Sequence, residues 1–368
     1  MPRIEFRGVT KSYADGTQAV ADLNLVVEDG EFLCLLGPSG CGKSSTIRVL
    51  AGLEAVSEGM LLADGHRIDH LPPQARDCAM IFENYALYPH LTAFENIAMP
   101  LRARRLPAQD VKRRVMEIAR MLHIEPLMAR RPSRLSGGEK QRVGVARALV
   151  REPAMFLMDE PLGHLEAYLR VELRAEIRRL QERLGITTVY VTHDQGEAAA
   201  VADRIAVMSA GRLQQVGSFL DLLDRPLNRF VAEFVGEPPM VFLPVHRATA
   251  DSLAVKGVQI RLPETLAAAL RATDDCHLTL GVRPNDISIV MPTPERLNGE
   301  VVLVQPQGGH AIVGVETSAG PATVVVPSEG QPAAGAIVGL EFESEALHLF
   351  NSAGRSLLPS RGEEGGGG

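Results

Sequence analysis

Eight residues, Gly37-Pro-Ser-Gly-Cys-Gly42-Lys43-Ser44, constrain this chain more than any other segment. They fit the pattern GxxxxGK[ST] in full, and that pattern has meaning only between a strand and a helix. Both flanks read that way. Glu31-Phe-Leu-Cys-Leu-Leu36 is a short apolar run stopped by Gly37-Pro38, which predicts a buried strand. Lys43 to Leu50 has helix-compatible spacing. The glycines let backbone N–H groups face phosphate oxygens, and the helix N-terminus adds a favourable partial charge. Lys43 then reaches the β and γ phosphates, and the Ser44 hydroxyl binds Mg²⁺. Gly37, Pro38, Ser39, Gly40, Cys41, Gly42, Lys43, Ser44 and the adjoining Ser45 are therefore expected to hold ATP.

The rest of the N-terminal half suits such a site. Ala154 to Met158, Thr187 to Thr192 and Arg204 to Met208 are further buried-strand candidates, and Val171 to Leu184 is a long helical pattern. Strands alternating with helices predict an α/β fold with a mainly parallel sheet. Pro107 to Leu122 reads as a helix that interrupts the strand series, so a helical insertion is expected over about 88–152. After Phe234-Val-Gly236 the pattern changes to short alternating runs, such as Val301 to Val304 and Thr323 to Val326, between Gly and Pro clusters. The expected organisation is an ATPase domain over 1–236, an all-β domain over 237–358 and a flexible tail over 359–368. No internal repeat of 20 to 50 residues is present.

Met155-Phe-Leu-Met-Asp159-Glu160 is an apolar strand ending in two acids, the form of a Walker B strand. Asp159 is expected to hold magnesium through water, and Glu160 to polarise the attacking water as general base.

Composition narrows the setting. The 368 residues are 45% hydrophobic and 23% charged, as in ordinary globular proteins. A formal net charge of -7 argues against wrapping nucleic acid. No run approaches the roughly 18 apolar residues of a membrane span. Met1 to Phe6 lacks the apolar core of a signal peptide. Cys34, Cys41, Cys78 and Cys276 form no CxxC pair and read as the reduced thiols of a cytosolic protein. Any membrane connection is expected to run through a partner. The basic clusters Arg102-Ala-Arg-Arg105 and Lys112-Arg-Arg114 read as a solvated helical face.

Leu135-Ser-Gly-Gly-Glu139-Lys-Gln-Arg142 resembles the signature of ABC ATPases in an LSGGE form. Ser136, Gly137 and Gly138, with Glu139, open a helix whose amides suit a γ-phosphate. The resemblance spans roughly Ile4 to Leu349 and implies a P-loop NTPase of RecA-like core with a helical insertion, followed by an OB-like regulatory domain. It implies a head-to-tail dimer, homo- or heteromeric, in which each signature meets the ATP of the opposite subunit. In that family Tyr13 matches the aromatic residue that stacks on adenine. His193, in Thr192-His193-Asp194-Gln195, matches the switch histidine that contacts the γ-phosphate and the water.

Three segments resemble the sugar-importer branch, which includes maltose and glycerol-3-phosphate importer ATPases: Tyr85-Ala-Leu-Tyr-Pro-His-Leu91, Tyr190-Val-Thr-His-Asp-Gln195 and Gly281-Val-Arg-Pro284. The resemblance implies two transmembrane permeases docking near Tyr85 to Leu91 and, indirectly, an extracytoplasmic solute-binding protein. It implies a peripheral subunit on the cytoplasmic face of the inner membrane. Carbohydrates, polyols and glycerol-phosphate esters are the expected solutes.

Two positions depart from the family. Glu83 stands where the Q-loop usually has glutamine; its carboxylate suits a hard cation and makes it a magnesium candidate beside Ser44 and Asp159. Gly163-His164-Leu165-Glu166 stands where the D-loop usually reads SNLD. These departures keep open an impaired or regulatory subunit paired with an active ATPase. A soluble, non-transport ABC protein is the other alternative; against it, the chain has one P-loop, one signature and no sustained heptads.

Overall fold

The computed structural model describes residues 2–82, 86–163 and 167–358. The chain forms two compact units, Met1–Phe219 and Leu220–Gly368.

The first unit begins with β1 (Ile4–Ser12), β2 (Gln18–Val27) and β3 (Phe32–Leu36), followed by α1 (Lys43–Ala51), β4 (Glu58–Ala63), β5 (His66–Arg67) and β6 (Cys78–Ile81). Three helices intervene: α2 (Ala93–Ala103), α3 (Ala108–Met121) and α4 (Gly137–Leu149). The chain then runs through β7 (Met155–Asp159), α5 (Ala167–Leu184), β8 (Thr187–Thr192), α6 (Gln195–Val201), β9 (Arg204–Ser209) and β10 (Arg212–Gly217).

Six strands form one sheet in the order β10-β9-β3-β8-β7-β6, parallel except for the β9–β10 hairpin. Every residue of β3, β7 and β8 is buried, because both faces of the parallel sheet are covered. A second, antiparallel sheet in the order β2-β1-β4-β5 carries alternating burial. Register shifts interrupt the pairing of β1 with β2 and β4 and break the period-two pattern, so only the parallel strands of this unit were legible beforehand. No described helix is long and apolar enough to cross a membrane.

The second unit contains α7 (Phe219–Asp224), α8 (Arg229–Phe234), β11 (Val241–Arg247), β12 (Ser252–Val255), β13 (Val258–Arg261) and α9 (Glu264–Ala272). Then follow β14 (Leu278–Val282), β15 (Ile287–Val290), β16 (Leu297–Gln307), β17 (His310–Thr317), β18 (Gly320–Pro327), β19 (Ile337–Phe342) and β20 (Leu347–Phe350). They form two five-stranded antiparallel sheets, β13-β12-β11-β14-β20 and β15-β19-β16-β17-β18. Inward residues of both sheets share one core that includes Leu243, Leu280, Val313 and Leu349. Leu266 and Leu270 of α9 complete it; the reading of alternating runs had not singled out this helix.

The unit boundary lies earlier than the one expected near Gly236. Arg283, from the Gly281-Val-Arg-Pro284 segment, explains the shift. Its buried guanidinium donates to the carbonyls of Leu223 and Ala232 at 2.8 and 2.9 Å, and to that of Val235. Arg229 N–H donates to Gly354 O at 2.7 Å. The stretch after Phe219 is thus tied to the C-terminal sheets.

Losing the Arg283 donors leaves buried carbonyls unpaired, so Arg283→Ala is expected to lower the stability of this unit by about 3 kcal/mol in urea unfolding. His348 on β20 is buried, with no partner at Nδ1 among the described residues. Burial, reinforced by the Arg283 charge, pushes its imidazole down from 6.5 to about 4. The unfolded chain therefore binds a proton between these values and the native one does not. The His348 contribution is complete above pH 6.5 and is lost as pH falls toward about 4. We expect a loss on the order of 3 kcal/mol across that window. Unfolding midpoints of His348→Leu against pH should lack this component.

Candidate active site

Three neighbouring parallel strands bring the predicted residues together. Leu36 of β3 lies opposite Thr192 of β8, and Val191 of β8 opposite Asp159 of β7. Gly37, His193 and Glu160 therefore leave the sheet at the same edge, outside the carboxyl ends of the strands, where open α/β sheets bind ligands.

The loop from Gly37 to Gly42 turns directly into α1. Gly42 is its N-cap with φ of 107°, and a Cβ there would lie 2.2 Å from Ala19 O. A Cβ at Gly37 would lie 2.4 Å from Met208 O. Both positions require glycine, and the loop closes as a turn of backbone amides. Lys43 is buried and its Nζ donates to Gly37 O at 2.8 Å and Pro38 O at 3.0 Å. This places the ammonium within the loop that the phosphates would line. Cys41 Sγ lies 3.7 Å from the same Nζ, yet burial keeps the thiol raised above its usual range, so it stays protonated at neutral pH. The described cysteines are free, as read from their spacing.

Ser44 Oγ donates to Asp159 Oδ1 at 3.0 Å. A hydroxyl and a buried carboxylate side by side are hard oxygen donors of the kind Mg²⁺ takes, too few to hold it without phosphate and water. Among the described residues no group of three or more His, Cys, Asp or Glu could hold a metal. Glu83, the third candidate, lies outside the described residues.

Glu160 adopts φ of 46°, a strained conformation for a residue with a Cβ. Its N–H donates to Val191 O at 3.0 Å, so the bend after β7 is pinned to β8. The bend turns the carboxylate toward His193, whose Nδ1 lies 3.0 Å from Glu160 Oε2. The imidazole is largely exposed and Glu160 only partly, so the pair faces solvent at the sheet edge. A Cβ at Gly163 would make only ordinary contacts, so the departure from serine there is not a steric requirement. His164, Leu165 and Glu166 lie outside the described residues.

Tyr13 joins the site through its hydroxyl, 3.1 Å from Ser45 Oγ on α1, with Lys11 Nζ 4.8 Å from the ring centre. Ser136 is the N-cap of α4, so Gly137 and Gly138 do open a helix. Its Oγ accepts from Glu139 N–H at 3.3 Å, and Glu139 Oε2 accepts from Ser136 N–H at 2.7 Å. This reciprocal cap turns the Glu139 carboxylate back on the helix start. Among the described residues no hydrogen bond or ion pair joins the signature to the P-loop.

Two features escaped the sequence reading. Asn96, fully buried on α2, accepts from Tyr88 N–H and donates to Tyr88 O, Leu91 O and Thr92 O. It shapes the loop that carries exposed Tyr88 and His90, so these rings are not core; Tyr85 is outside the described residues. A lone polar residue on the apolar face of Phe94-Glu-Asn-Ile-Ala was the available signal. The other feature is Glu197, buried on α6 and bonded to Tyr190 and Thr192.

Comparisons with known proteins agree with this geometry. The ABC transporter family model matches residues 20–163, and the TOBE domain model matches 280–350. The chain is 42% identical to the sn-glycerol-3-phosphate import ATP-binding protein of Chromohalobacter salexigens, over 99% of this chain and 98% of that one. It is 42% identical to the trehalose/maltose import ATP-binding protein of Thermococcus litoralis, over 97% and 100%. A dimeric ATP-binding cassette solved in a post-hydrolysis state with ADP and phosphate superposes with a TM-score of 0.53 and 30% identity, over 58% of this chain and 98% of that one. With its phosphate loop, acidic strand end, signature helix and C-terminal sheets all in place, this chain belongs to the ATP-binding import subunits of ABC transporters and is an ATPase.

Proposed function

We propose that this subunit drives import of a carbohydrate, polyol or glycerol-phosphate-type solute. The single observation that carries the catalytic part is the Glu160–His193 contact of 3.0 Å at the strand edge that also bears the Ser44–Asp159 pair. A carboxylate held by an imidazole, next to a phosphate loop, is placed to take the proton of an attacking water. Lys43 and the loop amides hold the β and γ phosphates, and His193 orients the water between Glu160 and the terminal phosphoryl group. Ser44, Asp159 and Glu83 are the residues that would hold Mg²⁺, which neutralises charge on the phosphates when bound.

Two such chains, or this chain and a related one, pair head to tail, so that Ser136, Gly137 and Gly138 meet the partner's nucleotide. The exposed helix start at Ser136 and Gly137 supports that reading. Two permeases dock near Tyr85 to Leu91, where Tyr88 and His90 are exposed, and place the subunit on the cytoplasmic face of the membrane. The solute range rests on relatives named for glycerol-3-phosphate, trehalose and maltose, with another from Synechocystis named for osmoprotective compounds and 46% identical over 87% of this chain and 89% of that one.

Glu160→Gln is expected to slow hydrolysis in the assembled transporter by roughly 10² to 10⁴ while ATP still binds. Equal rates for variant and wild type would remove Glu160 from the mechanism. Uptake of labelled disaccharides, polyols and glycerol-3-phosphate, compared between wild-type and Glu160→Gln cells, identifies the solute. Loss of uptake for none of these classes overturns the solute reading.

A further inference from the structure

The catalytic contact depends on where His193 sits, and His193 lies on a short turn between β8 and α6. Glu197 holds that turn from beneath. Its Oε2 accepts from Tyr190 Oη at 3.0 Å and from Thr192 Oγ1 at 2.8 Å. Thr192 Oγ1 in turn accepts the N–H of Asp194 at 3.0 Å, and Asp194 Oδ1 accepts the N–H of Glu197 at 2.9 Å. The chain on both sides of His193 is thus fixed to one carboxylate, while the imidazole itself is exposed and, among the described residues, bonds to Glu160 alone.

Nothing in this cluster is cheap to bury. Tyr190, Thr192 and Glu197 have relative exposures of 0%, 2% and 3%. A buried carboxylate needs strong hydrogen bonds to offset its lost hydration, and Glu197 takes them from two hydroxyls. Phe32 packs against the Tyr190 ring with centroids 5.8 Å apart, and anchors the far arm of the cluster to β3. An apolar residue would fill this space without a desolvation cost, so the carboxylate serves something other than packing.

We propose that Glu197 is a positioning residue for ATP hydrolysis: its buried carboxylate clamps the turn bearing His193 and so sets the His193–Glu160 contact. The proposal rests on the catalytic reading of that contact. Glu197 itself is buried beneath the turn. It acts by holding Thr192 and Asp194, so that the imidazole keeps one orientation through the cycle.

The test measures ATP hydrolysis by the full-length chain with its permeases. Glu197→Ala is expected to lower kcat by about 10- to 100-fold with KM for ATP changed less than about 3-fold. Glu197→Gln keeps an oxygen that accepts from both hydroxyls and should stay within about 3-fold of wild type. In a His193→Ala background, Glu197→Ala should cost less than about 2-fold more, since its effect runs through the imidazole. Wild-type kcat in Glu197→Ala, equal losses with and without His193, or a Gln variant as poor as Ala would each overturn the clamp. If Glu197→Ala does not fold, Thr192→Val and Tyr190→Phe each remove one arm, and unchanged kcat in both overturns it equally. Wild-type rates in His193→Ala and Glu160→Gln would instead remove the premise, and the clamp with it.

Discussion

The pairing of β7 with β8 is the constraint on which the rest of the site depends. Asp159 lies opposite Val191, and the amide of Glu160 continues the ladder by donating to Val191 O. One register therefore fixes Asp159, Glu160 and the start of the turn that bears His193. A slip of one residue in either strand would reverse which face each side chain takes. Both strands are buried along their whole length, and such a slip would displace the buried polar groups Asp159 and Thr192 from their partners. The left-handed bend at Glu160 becomes tolerable because its amide is already committed to the sheet.

Around that register the molecule divides its polar groups into two kinds. Lys43, Ser44, Asp159, Glu160 and His193 converge on the sheet edge, where a phosphate ester can meet them. Glu197, Asn96, Arg76 and Arg283 are buried and face inward to backbone or hydroxyl partners. Arg76 illustrates the second kind: its guanidinium donates to Val49 O and Leu50 O at the end of α1 and to Leu71 O and Asp69 O, which closes the helix that begins at Lys43. Burial lowers its pKa, yet an arginine stays charged at neutral pH, so it satisfies several carbonyls at once. Such residues tie the loops and helix ends around the site to the backbone beside them.

Much of this was legible without coordinates. Gly37 to Ser44 required a strand and a helix at fixed places, and both are there. The apolar runs at Met155 and Thr187 became central strands because a parallel sheet buries both faces. The nature of β1, β2 and β4 was not legible, since register shifts break the alternation of their residues. The step from Gly236 back to Phe219 was hidden because Arg283 lies far along the chain from the carbonyls it holds.

The sequence by itself determined the chemistry. A complete phosphate loop, two acids at a strand end and a signature at a helix start name the substrate and the family, because each motif is local and its spacing carries its function. Only the tertiary structure decided which groups touch. It placed His193 on Glu160 and joined Ser44 to Asp159. Those contacts come from strand order and register, which no local window of sequence contains.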